Sequence, residues 1–124
     1  MTIAFWCVLI AGLLPYAVFG PASAKLDIRL PRKLAGDLEG VPARAYGAHL
    51  NHFEAFPFFA ASVVVAHLAA GPTALANWLA VAFIVVRLFY TAMYLTDRQP
   101  LRSGAFFLGL LISIAIFISP LFHS

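Results

Sequence analysis

Four stretches of this chain, at about residues 2–22, 47–70, 74–95 and 103–122, stay apolar over the roughly 20 residues a helix needs to cross a bilayer. In hydrocarbon the backbone has no water to bond, so each stretch must satisfy its N–H and C=O groups internally, which a helix does within one segment. Little chain is left over. The polar connections are "ASAKLDIRLPRKLAGDLEGVPARAY" and "TDRQPLRSG", while "AGPT" at 70–73 is a tight turn built on Gly71 and Pro72. A chain that is 63% hydrophobic and 10% charged over 124 residues exceeds what a small soluble core hides. The expected fold is all-α, one domain over 1–124, forming a transmembrane four-helix bundle.

Charge then sets orientation. Eight Lys+Arg against five Asp+Glu give +3, a balance that in a membrane chain marks topology and not a nucleic-acid surface. Lys25, Arg29, Arg32, Lys33 and Arg44 fall in the first connection and Arg98 and Arg102 in the last, whereas the 70–73 turn and both termini carry no Lys or Arg. By the positive-inside rule the basic connections face the cytoplasm, leaving the N- and C-termini on the non-cytoplasmic side. The "GPASA" at 20–24 has the small residues of a signal-peptidase site, but no basic segment precedes the apolar run, so the first helix is expected to be retained. Small four-helix exporters put their carboxylate in the first helix and show weak charge bias, and neither holds here. The single cysteine, Cys7, excludes an intrachain disulfide and a thiolate ligand set.

Asn51, Glu54, His49 and His52 interrupt the second apolar run, and Arg87, Tyr90 and Tyr94 the third. A charge at bilayer depth must be paired, hydrated or neutralised, and it faces other helices. Glu54 and Arg87 each lie about eight residues from the same face, roughly 12 Å deep at 1.5 Å per residue, so they are expected to pair. Gly47, Asn51, Glu54 and Phe58 form one stripe, and Arg87, Tyr90 and Tyr94 another. Outward of both, "AASVVVA" and "LAVAFIVV" are wholly apolar, so any polar chamber opens to the cytoplasmic half alone. His49 is expected at a helix–helix contact, His52 at headgroups or another subunit, and His67 near the outer interface. No metal site is expected from their spacing. Pro57 frees the carbonyl of Phe53 just past Glu54, either opening a pocket there or merely bending the helix. On these residues alone, a ligand site and a purely structural network remain equally open.

The segment "AHLNHFEAFPFF", followed one helix later by "RLFYTAMY", resembles the MAPEG family, the membrane-associated proteins of eicosanoid and glutathione metabolism. The resemblance covers almost the whole chain: four apolar helices, a long basic first connection, Ala-x-x-Asn-x-x-Glu on the second helix and Arg-x-x-Tyr-x-x-x-Tyr on the third. It implies a homotrimer that binds glutathione between subunits near the cytoplasmic face. Asn51, Glu54 and Arg87 would then hold polar groups of the tripeptide, with Tyr90 and Tyr94 on its carboxylates or lining the cleft. Arg102, at the start of the fourth helix, would stabilise the thiolate, and a lipophilic electrophile would enter sideways from the lipid. Gly47 stands where family enzymes usually carry arginine, and Ala55 where an aromatic is often found; Arg44, one turn earlier, is the candidate replacement. In this the chain is similar to bacterial members of undefined substrate.

Two functions follow as expectations. One is a multi-pass protein of the bacterial inner membrane, surrounded by lipids, acting as a glutathione-dependent transferase or peroxidase on lipophilic small molecules. The other keeps the fold without the chemistry, as a membrane scaffold or lipid-binding protein with a structural Glu54–Arg87 network.

Overall fold

The computed structural model describes residues 1–20 and 38–123. Over these it is all-helical, with α1 Ile3–Val18, α2 Gly40–Ala70, α3 Ala74–Leu95 and α4 Gln99–Ile118, the last tightening into a 3₁₀ turn at Ser119–Phe122. Lys25, Arg29, Arg32 and Lys33, the "PASA" at 21–24 and the expected end of the first span at 22 lie outside the described residues. Among the described residues, three helices are long and apolar enough to cross a membrane: Gly40–Ala70, Ala74–Leu95 and Gln99–Phe122. The described part of α1 is shorter, 16 residues.

The expected bounds hold for α3 and shift elsewhere. α2 begins at Gly40 and not near 47, because Pro42 falls in its first turn, where no backbone N–H is required and the fixed φ favours helix. α4 likewise begins at Gln99 with Pro100 in its first turn, four residues before the expected start. The polar "TDRQPLRSG" is therefore mostly helix. The true connection is a Schellman turn: Asp97 N–H donates to Tyr94 O at 3.1 Å and Arg98 N–H to Met93 O at 2.8 Å. Asp97 takes the left-handed position at φ 61°, a place usually filled by glycine but open to Asp and Asn. At the other end of α3, the Thr73 hydroxyl accepts from Ala76 N–H at 3.1 Å and caps the helix directly after the Gly71–Pro72 turn.

Buried positions alternate by three and four residues in every helix: Ala4, Cys7, Ala11; Ala45, Ala48, His52, Phe59; Ala76, Ala80, Phe83, Arg87, Tyr90; Ala105, Gly109, Ile112, Ile116. This is the seam spacing of left-handed bundles. Lipid is as apolar as leucine, so burial alone gives helices no reason to associate; small seam residues let backbones approach and gain dispersion contact. Ring packing fills the middle, where Phe59 and Phe83 stack at 3.9 Å with planes 3° apart. α3 packs chiefly on α4 and α1 on α2, with α2–α4 and α1–α3 closing the ring. Large apolar side chains such as Leu13, Val85, Phe107 and Leu111 point outward, as they do in a protein solvated by lipid.

The end bearing the N-terminus is closed by polar contacts. Ala4 N–H donates to Asn77 Oδ1 at 3.0 Å, and Thr2 Oγ1 lies 2.9 Å from His67 Nε2 while accepting from Phe5 N–H. His67 Nδ1 meets the Val63 carbonyl at 2.9 Å, so it carries the proton and donates. His67 thus ties α1 to α2. Near the opposite end His49 does the same, its Nδ1 donating to the Pro15 carbonyl among Tyr16, Phe19, Tyr46 and Phe53, as expected of a helix–helix contact.

Candidate functional site

Arg87 is the organising side chain, 2% exposed although it is charged in sequence and surrounded by apolar helix. Its Nη2 donates to Asn51 Oδ1 at 2.9 Å, and Nε and Nη2 reach His52 Nδ1 at 3.3 and 3.0 Å. Hydrogen-bond direction fixes the imidazole tautomer. Thr91 Oγ1 donates back to the Arg87 carbonyl at 2.9 Å, so at 2.8 Å from His52 Nε2 it must accept. His52 therefore carries its proton on Nε2 and offers Nδ1 as acceptor to the guanidinium. Arg87, His52, Thr91 and Asn51 form one closed network between α2 and α3.

The expected partner does not take part. Glu54 is exposed and forms no ion pair with Arg87. Glu54 lies three residues past Asn51, about 60° away around the helix, so it lines the same cleft as Arg87 from the exposed side without reaching the guanidinium. His52 also departs from its expected place at headgroups or another subunit, since it is 3% exposed. The sequence signal for it was the spacing from Ala45 and Ala48 to His52 and Phe59, which runs along the seam.

From Arg87 a column of side chains leads to the α3–α4 turn. The guanidinium lies 4.2 Å from the Tyr90 ring centroid; Tyr90 stands edge-on to Tyr94 at 5.7 Å; and the Arg102 guanidinium lies 4.5 Å from the Tyr94 centroid. Tyr90 and Tyr94 share a face at i, i+4, and the Schellman turn folds α4 back so that Arg102 reaches the second ring. Arg44 arrives at the same end, but its Nε donates to the Leu95 carbonyl at 3.0 Å, capping α3 instead of pointing toward Asn51. Among the described residues, neither Arg87 nor Arg102 is paired with a carboxylate.

A lateral cleft of about 100 Å³ opens between α2, α3 and α4. Glu54 and Phe58 stand at its exposed side, Phe83, Phe106 and Ser113 line it, and Arg87 lies at its base. Glu54 and Arg87 therefore share a cavity without touching. Among the described residues, no three His, Cys, Asp or Glu side chains gather as a metal ion would require.

Membrane-length helices around small-residue seams, with a buried guanidinium network near one end, define a polytopic integral membrane protein. A family model described as the MAPEG family matches residues 3–122, and the chain belongs to that family. No curated protein and no solved structure matches it.

Proposed function

We propose that this MAPEG family member is a glutathione-dependent transferase or peroxidase that acts on lipophilic electrophiles. The observation that carries the reading is the column Arg87–Tyr90–Tyr94–Arg102, with two cations that have no carboxylate partner among the described residues. Such a column calls for an anionic ligand, and glutathione offers two carboxylates, an ammonium group and a thiol. Glu54, exposed beside the same cleft, is suited to the ammonium, and Asn51 and the tyrosine hydroxyls to the peptide and carboxylate groups.

Arg102 is the proposed catalytic group. A guanidinium beside the sulfur favours thiolate over thiol, and the displaced proton leaves to water. The thiolate then attacks an electrophilic carbon, whose bonding pair goes to the leaving group. With a hydroperoxide it attacks oxygen instead, cleaving O–O, and a second glutathione completes the reduction as disulfide. The lateral cleft, walled by Phe58, Phe83 and Phe106, suits a substrate arriving from lipid.

Orientation and assembly belong to the same proposal. Arg44, Arg98 and Arg102 all lie at the α3–α4 end of the bundle, which supports a cytoplasmic assignment for that end. An exposed carboxylate at membrane depth is costly, so Glu54 is better covered by a neighbouring subunit than by lipid, in keeping with a homotrimer. The single domain would then span 1–124. The test is turnover: purified protein, glutathione and a chromogenic lipophilic electrophile, followed by thioether formation. Activity lost in Arg102→Leu supports the reading, and absence of turnover with electrophiles and hydroperoxides alike contradicts it.

One observation favours the second reading in part. Arg87 finds acceptors in Asn51 and His52, so that network is already complete as a structural device. A non-catalytic scaffold or lipid-binding protein would need nothing more from it, but would leave Arg102 without a purpose.

A further inference from the structure

Gly47 precedes Asn51 by one turn and shares its face of α2. A methyl group added at Gly47 would overlap the Tyr94 hydroxyl and come within 2.8 Å of the ring Cζ. The bare backbone at Gly47 is thus the floor of a notch, and the Tyr94 phenol fills it. Tyr94 in turn carries Arg102 on its face, and the Arg102 guanidinium makes no hydrogen bond among the described residues, leaving its donor edge free. A side chain at position 47 would expel the phenol and remove the surface on which Arg102 rests.

We infer that Gly47 is a positioning residue: its notch seats Tyr94, and Tyr94 holds Arg102 flat with its N–H edge open to an anion. The inference rests on the proposed function only for the identity of the anion; the seating itself is a matter of geometry.

The experiment labels the full chain in detergent with an arginine-directed dicarbonyl and reads the rate at Arg102 by mass spectrometry. The proteins are wild type, Gly47→Ala, Tyr94→Leu and the double variant, with thermal unfolding in parallel to confirm folding. Both single variants should speed Arg102 labelling by roughly fivefold, in keeping with loss of a cation–π contact at a partly exposed site. The double variant should show no further gain, because both changes remove the same contact. Gly47→Ala should also lower the melting temperature in the Tyr94 background and not in Tyr94→Leu, which gives a second reading should either single variant fold poorly. Wild-type labelling in Gly47→Ala, or effects that multiply in the double variant, would overturn the inference. Glutathione titration of the same proteins separates the two claims. If wild type does not bind it, the proposed function fails while the labelling result still decides the seating; if it binds, Gly47→Ala should weaken it as much as Tyr94→Leu does.

Discussion

Replacing His52 with leucine removes the Nδ1 acceptor that meets both Nε and Nη2 of a guanidinium only 2% exposed. Asn51 still holds Nη2, but Nε loses its partner. Neutral interhelical hydrogen bonds in membrane proteins contribute about 0.6 kcal/mol on average, so an ordinary bond would barely register. Removing an acceptor from a buried guanidinium is a larger effect, about 1.5–3 kcal/mol, because a charged donor is left without its hydrogen bond. His52→Leu should therefore destabilise the protein by about 2 kcal/mol, measured by circular dichroism as the fraction of denaturing detergent rises. Adding Arg87→Met removes the stranded charge, so the double variant should be more stable than His52→Leu alone, with a coupling of at least about 1.5 kcal/mol. The parallel cycle between Glu54→Gln and Arg87→Met should couple by less than about 0.5 kcal/mol. Additive His52 and Arg87 losses, or a Glu54–Arg87 coupling above about 1 kcal/mol, would refute the network and restore the ion pair that depth alone suggests.

Three further changes probe the frame around the site. Thr73→Ala should cost about 1 kcal/mol in the same unfolding assay, since it deletes the cap of α3 at a buried position. Asp97→Val should cost about 1–2 kcal/mol by forcing a β-branched residue to positive φ, and Asp97→Gly should not, which a paired melting comparison resolves. Phe59→Ala empties the stack on Phe83; with lipid as solvent only packing and cavity terms remain, so a loss of about 2 kcal/mol is expected and not the larger value of a water-soluble core.

Much of this was legible in the sequence for a plain reason: apolar length announces a membrane helix, and Gly71–Pro72 announces a turn. Apolar length did not show the true starts of α2 and α4, because their first turns fall in the polar connections and carry Pro42 and Pro100, which the first turn of a helix accepts. The column Arg87, Tyr90, Tyr94 was visible as i, i+3, i+7 spacing on one helix. Its continuation to Arg102 was expected only by resemblance, and its geometry depends on a Schellman turn with Asp97 in place of glycine. His52 and Glu54 exchanged roles because a membrane helix is apolar on every side. Hydrophobicity then says nothing of which face is inward, and the seam is written in small residues such as Ala45, Ala48, Ala105 and Gly109. The Gly47 notch was beyond sequence reasoning, since it exists only through the ring of Tyr94 on another helix.

The measurement that bears most directly on the account is calorimetric titration of glutathione into the purified protein in detergent, with Arg102→Leu, Tyr94→Leu and Glu54→Gln alongside. The account predicts saturable binding to wild type, weakened by each substitution. Absence of binding at millimolar ligand, or binding that all three variants retain unchanged, would contradict it.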